Sequence, residues 1–162
     1  MTNIEQKRIQ SSLEMLRFRY SMYGTLISQF LLDLENGKVT LGPGMKFQYY
    51  KCIRNKLGDI YRRGILQTEI DKLFDNVLKQ FRKDFPYFSR QQILVYSLSI
   101  ADIPDRLIAT LAHIRSQKMV WVVKTQIAEA IKFRNVQRRD EYLMLLGHQQ
   151  LSLTTSVGGI RS

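Results

Sequence analysis

Apolar residues near the start of the chain recur every three or four positions, which is the spacing of one face of an α-helix. The stripe lies within residues 4–34 and consists of Ile9, Leu13, Leu16, Tyr20, Tyr23, Ile27, Phe30 and Leu34. Asn36-Gly37 follows it, and these residue types tolerate the left-handed backbone that ends helices. The pattern predicts one long amphipathic helix over residues 1–36. Its first half is more polar than its second, so its start is expected to project from the body.

Two interpretations of this long helix are open at the level of sequence. The stripe could form a coiled coil that joins two chains into a homodimer through residues 4–34, or a linker that continues from an upstream domain. The same stripe could pack on the chain's own domain. The spacing suits either arrangement.

Residues 37–86 are predicted to form a basic helical hairpin. Gly42-Pro43-Gly44 lies in the loop before it. The first helix of the hairpin would span residues 45–63. The second would start at Thr68 and close before Pro86, because a residue preceding proline disfavours helical angles. Much of the first helix is basic, with Lys46, Lys51, Arg54, Lys56, Arg62 and Arg63.

Residues 87–147 have the pattern of a small helical domain. Ser89 and Gln92 have the spacing of a capping box, which begins a helix. A second helix is predicted over 104–113, with proline in its first turn. A tight break then leads to a third helix over 117–132.

The end of the chain adds one more element. A short helix is predicted over 138–146, ending at Gly147. Residues 148–162 are rich in Ser, Thr and Gly and are expected to be disordered. The fold class predicted from the whole pattern is all-α: a long N-terminal helix, a helical hairpin and a C-terminal helix-turn-helix unit.

The predicted helices 104–113 and 117–132, with the short turn between them, have the proportions of the bihelical DNA-reading motif. Ile108 and Ala109 form the apolar and small pair that lets two such helices approach. Ile114 lies in the turn, where the motif buries an aliphatic side chain. The N-terminal part of the second helix reaches base edges in the major groove in this motif.

Residues 65–146 resemble the C-terminal region of signalling transcription regulators from the Bacteroidetes lineage, which ends in a LuxR-type, sigma-region-4-like helix-turn-helix. The likeness is carried by Lys-Asp-Phe-Pro-Tyr-Phe-Ser at 83–89, Pro-Asp-Arg-Leu-Ile-Ala at 104–109 and Arg-Asp-Glu-Tyr-Leu at 139–143. It implies a transcription regulator that binds double-stranded DNA. The chain departs from that group within 117–132, which lacks its strongly basic stretch.

Charge favours an anionic partner. The chain carries 25 Lys and Arg against 14 Asp and Glu, a formal net charge of +11. The excess lies beyond residue 36, and such a balance attracts nucleic acid through its phosphates. Arg106 and Arg115 are predicted to hold phosphates, with Arg82, Lys83 and Arg90 extending that footprint. The predicted groove contacts are Ser116, Gln117, Lys118, Trp121, Lys124 and Thr125.

The apolar middle of the predicted recognition helix supports a second hypothesis. Residues 119–123 are all apolar, and Glu129 would repel phosphate. Trp121 could face outward as a contact, or it could complete the core against the last helix. A degenerate helix-turn-helix would then serve as a protein-interaction module, and the helix within residues 46–63 would bind an acidic protein or RNA.

Other chemistry is sparse in the sequence. Cys52 is the sole cysteine, and neither histidine is near it in sequence, so no disulfide, metal site or nucleophile is predicted. Gly42-Pro43-Gly44 lacks the phosphate-loop pattern. An enzyme, a cofactor and a small-molecule ligand are therefore not predicted. No apolar run approaches the roughly 20 residues of a membrane span, and charges interrupt the N-terminus, so a cytoplasmic protein is expected.

Overall fold

The computed structural model describes residues 1–38, 42–45, 48, 51, 55 and 64–147. Over this part of the chain the fold is all-helical, as predicted, and the long N-terminal helix is present. The helices are α1 (Asn3–Glu35), α2 (Ile65–Leu73), α3 (Val77–Asp84), α4 (Arg90–Ile100), α5 (Asp105–Leu111), α6 (Gln117–Phe133) and α7 (Arg139–Leu146). Most of the predicted hairpin helix at 45–63, Cys52 and the tail at 148–162 lie outside the described residues.

The first half of α1 packs on the rest of the chain. Its stripe residues are 9% exposed or less and belong to the main hydrophobic core: Ile9, Leu13, Leu16 and Tyr20. The helix packs on the core from Ile9 onward, whereas residues 1–8 at its polar start are all exposed. Its polar residues cover the outer face, while every third or fourth residue is buried. This part of the stripe is occupied within its own chain, so it is not free for the predicted homodimer.

Arg17 fixes α1 to two other helices. Its Nε donates a hydrogen bond to the carbonyl oxygen of Ile100 at 3.0 Å, and its Nη2 donates to that of Leu145 at 3.1 Å. These carbonyls lie in the last turns of α4 and α7, where no intrahelical donor remains for them. Burial lowers the pKa of the Arg17 guanidinium. A cation at two helix C-termini also complements both helix dipoles.

Helix ends in this protein repeatedly use a left-handed residue. After α1, Gly37 has φ 74°, and the Lys38 N–H donates to the Asp33 carbonyl at 2.9 Å. This confirms the predicted helix stop at Asn36-Gly37. The Lys38–Asp33 hydrogen bond is that of a Schellman motif, in which the N–H of the residue after the left-handed glycine donates to a carbonyl in the last turn of the helix.

The second hairpin helix is interrupted, in contrast to the continuous helix predicted from Thr68 to Phe85. Asp75 and Asn76 have φ of 53° and 58°, and the Asn76 N–H donates to the Asp71 carbonyl at 2.8 Å. Asp and Asn accept a positive φ at lower cost than most residues. The interruption therefore divides the segment into α2 and α3.

An aromatic cluster forms the centre of the core. The Phe81 ring stacks on Tyr96 with centroids 4.1 Å apart, and it lies 4.9 Å from Phe85 and 5.0 Å from Tyr142. The Tyr96 hydroxyl donates to the Tyr142 carbonyl at 2.9 Å, and the Tyr142 hydroxyl donates to Asp84 at 2.6 Å. Burial and the Asp84 carboxylate raise the pKa of Tyr142. This cluster joins α3 to α4 and α7, across the predicted boundary at residue 86.

Candidate nucleic-acid interface

The turn between α5 and α6 is tightly closed. His113 has φ 56°, and the N–H of the next residue, Ile114, donates to the Ala109 carbonyl at 2.8 Å. Ile114 packs against the core, as predicted for the turn. Ser116 then caps α6, because its Oγ accepts the Met119 N–H at 3.2 Å. These interactions fix where α6 starts and which way its first turn faces.

A side chain from α4 holds the same turn and was missed in the sequence analysis. The Gln91 Nε2 donates a hydrogen bond to the carbonyl oxygen of Ala112 at 2.9 Å. The C-terminal carbonyls of a helix lack intrahelical partners, so this contact satisfies one of them. A glutamine in the first turn of a helix has no sequence signal that distinguishes this role from a solvated surface position.

The inner face of α6 is regular. Val120, Ile127, Ala128 and Ile131 are each at most 3% exposed, and they face α4, α5 and α7. In the apolar run at 119–123, Val120 is fully buried and Val123 is partly buried against the core. Met119 is 44% exposed. The helix is thus rigidly supported along one side.

Lys124 lies on the inner face and not in the outward row where it was predicted. It is 8% exposed, and its Nζ lies 2.5 Å from the Asp105 Oδ1 on α5. Its position is one turn after Val120, so it follows the buried face of the helix. The prediction that Lys124 faces the major groove is therefore wrong. Its side chain is buried and its ammonium group is paired with Asp105 of the same domain.

The remaining predicted residues divide by exposure. Arg115, Gln117, Lys118 and Trp121 are exposed at the start of α6, whereas Arg106, Ser116 and Thr125 are half-buried. Trp121 is 47% exposed, so its side chain does not complete the core. The Ser116 hydroxyl is used as the helix cap, and the Thr125 hydroxyl donates to the Trp121 carbonyl at 2.9 Å. The side chains best placed to meet a ligand are therefore Arg115, Gln117, Lys118 and Trp121.

Replacing Lys124 by alanine is expected to lower the free energy of unfolding by about 1–3 kcal/mol, because the partly buried Asp105 carboxylate would lose its partner. Lys118→Ala is the matched control and should change stability by less than about 0.5 kcal/mol, since Lys118 is exposed. Urea denaturation followed by circular dichroism measures both. Equal effects of the two substitutions would contradict the structural role of Lys124.

Within the described residues, no group of three or more His, Cys, Asp or Glu side chains could hold a metal ion. None of the described helices combines the length and apolar character needed to cross a membrane. No protein-family model, curated protein or solved structure matches the chain.

Proposed function

We propose that the protein is a DNA-binding transcription regulator in which α5, the turn and α6 form a divergent helix-turn-helix. The observation that carries the proposal is the arrangement at the start of α6. Gln117 and Lys118 are exposed in its first turn and Arg115 in the turn just before it, and the opposite face of α6 is buried. The resemblance of residues 65–146 to the Bacteroidetes regulators supports the same assignment.

In this proposal the first turns of α6 enter the major groove. Gln117 has the amide that can pair with the adenine edge, and Lys118 can donate to the acceptors of guanine. Arg115, in the turn just before the helix, holds a backbone phosphate and fixes orientation without reading sequence. The N-terminus of α6 also has the positive end of the helix dipole, which favours a phosphate. Trp121 supplies apolar contact area one turn further along.

The acidic residue in α6 does not oppose this arrangement. Glu129 is twelve residues beyond Gln117, which corresponds to about 18 Å along a helix. That separation exceeds the screening length of about 8 Å at physiological salt. The Glu129 carboxylate also lies 3.8 Å from the Lys132 Nζ. Its repulsion of phosphate is therefore weak at the proposed reading end of the helix.

The second candidate function is a protein-interaction module built on the same scaffold. It is favoured by the apolar side chains Met119 and Trp121, which are 44% and 47% exposed near the start of α6. It is also favoured by Lys124, whose charge is paired internally. Aromatic and methionine side chains of this kind are enriched in protein interfaces. This candidate predicts no measurable affinity for duplex DNA through α6.

Binding to a panel of labelled duplexes, measured by fluorescence anisotropy, tests the proposed roles. Lys118→Ala is expected to change the sequence preference, at a cost of about 1–3 kcal/mol on the preferred site. Arg115→Ala should weaken all duplexes alike. Lys7→Ala, at an exposed position of α1, is the matched charge control and should leave binding unchanged. Identical losses for Lys118→Ala and Arg115→Ala on every sequence would refute the assignment of the reading helix.

A further inference from the structure

A groove lies at the junction of α2, α3 and the start of α4, and it has a mixed lining. Its volume is about 530 Å³. The apolar part is formed by Phe85, Pro86, Phe88, Ile93 and Leu94, and the polar part by Gln67, Arg82 and Arg90. Both arginines are exposed, whereas Phe85 and Ile93 are buried. We call this feature the arginine groove.

A second cavity of about 600 Å³ adjoins the arginine groove, and both are lined by Gln67 and Arg82. It adds two exposed cations, Lys72 and Lys79. Its carboxylate, Asp71, is already engaged, since Oδ1 accepts the Leu78 N–H at 2.7 Å. Among the described residues, none of the four cations Lys72, Lys79, Arg82 and Arg90 forms an ion pair. Within the described residues, the continuous surface therefore carries four exposed cations and one carboxylate, that of Asp71.

The apolar part of the lining distinguishes between anionic partners. Phe88 and Leu94 are half-buried beside the two exposed arginines, so the groove offers apolar contact area next to positive charge. A phosphodiester backbone has no apolar side chain to cover that area, whereas an acidic peptide segment can carry one.

We propose that the arginine groove binds an acidic segment of a partner protein that contains an apolar side chain. The apolar side chain packs on Phe88 and Leu94, and carboxylates on either side pair with Arg82 and Arg90. Charge complementarity and the apolar floor each select a different part of such a ligand. This site is separate from the residues proposed to contact DNA.

Fluorescence anisotropy with the full chain and three labelled synthetic peptides tests the proposal. The first peptide has a central leucine flanked by glutamates, the second has serine in place of that leucine, and the third has glutamine in place of the glutamates. The first should bind, and the serine peptide should bind about tenfold more weakly, because it buries no apolar side chain. The glutamine peptide should also bind about tenfold more weakly, because it has no carboxylates to pair with the arginines, and equal binding would contradict the proposal.

Variants locate the binding. Arg82→Gln and Arg90→Gln should each weaken the glutamate-leucine peptide by about tenfold, whereas Lys7→Gln should not.

Several results would overturn the proposal. These are absence of peptide binding, equal binding of the leucine and serine peptides, or unchanged binding in the Arg82→Gln/Arg90→Gln double variant with an intact thermal transition. DNA binding that depends on Arg82 and Arg90 while the peptide does not bind would assign the groove to nucleic acid and also overturn it.

Discussion

Phe81→Ala is expected to lower the free energy of unfolding by about 3–5 kcal/mol, which is the usual cost of removing a buried aromatic ring. The Phe81 ring has no exposed surface and lies at the centre of an aromatic cluster formed with Tyr96, Phe85 and Tyr142. Domains of this size are stable by only about 5–15 kcal/mol. The variant should therefore be close to unfolding at 25 °C.

The matched control is the same substitution at Phe133, at the end of α6. Its side chain is 84% exposed, so Phe133→Ala should change stability by less than about 0.5 kcal/mol. Urea denaturation at 25 °C, followed by circular dichroism, measures both variants. A loss below about 1 kcal/mol for Phe81→Ala would show that this cluster is not the centre of the folded core.

Leu16→Ala is expected to lower the free energy of unfolding by about 2–5 kcal/mol, as for other buried leucines. Leu16 is 1% exposed and belongs to the core shared with the other helices. Its neighbour Met15 is 54% exposed, so Met15→Ala is the control and should have a small effect. Both substitutions place alanine in the same helix, so helix propensity contributes little to the difference.

The concentration dependence of unfolding distinguishes this account from the coiled-coil alternative. If residues 9–20 pack on their own chain, the Tm of the Leu16→Ala variant should fall without depending on protein concentration. A dimeric coiled coil would instead give a Tm that rises with concentration. A concentration-dependent Tm that is abolished by Leu16→Ala would contradict the packing seen for α1.

Several helix ends were predicted correctly from sequence, because their signals are short-range. Ser89 and Gln92 form both hydrogen bonds of the predicted capping box, at 3.1 and 2.8 Å. Asn36-Gly37 ends α1, and α6 begins at Gln117, both as predicted. Each signal depends on side chains within a few residues of the backbone that they cap or terminate.

Side-chain direction within α6 was only partly predictable. Five consecutive apolar residues cover most directions around a helix, so they do not indicate which face is buried. The choice depends on the packing of α5, which places Asp105 opposite Lys124 and buries Val120. Trp121 remains outside for the same reason. The 3.6-residue periodicity therefore cannot identify the buried face of a helix where several apolar residues are consecutive.

Tertiary contacts could not be predicted at all from local pattern. The side chain of Arg17 reaches carbonyls 83 and 128 residues away in sequence, which places α1 on the core. The arginine groove combines residues from three helices, so it exists only once those helices are packed. From sequence, Arg82 and Arg90 were predicted only to extend a phosphate-binding surface.

The salt dependence of duplex DNA binding is the most direct test of the proposal that the start of α6 contacts DNA. Affinity of the wild-type chain should fall steeply between about 50 and 200 mM salt, since phosphate contacts release counterions. Arg115→Gln should reduce the slope of log affinity against log salt by about 1, and Lys7→Gln should leave it unchanged. Absence of binding at about 50 mM salt, or an unaltered slope for Arg115→Gln, would contradict the proposal.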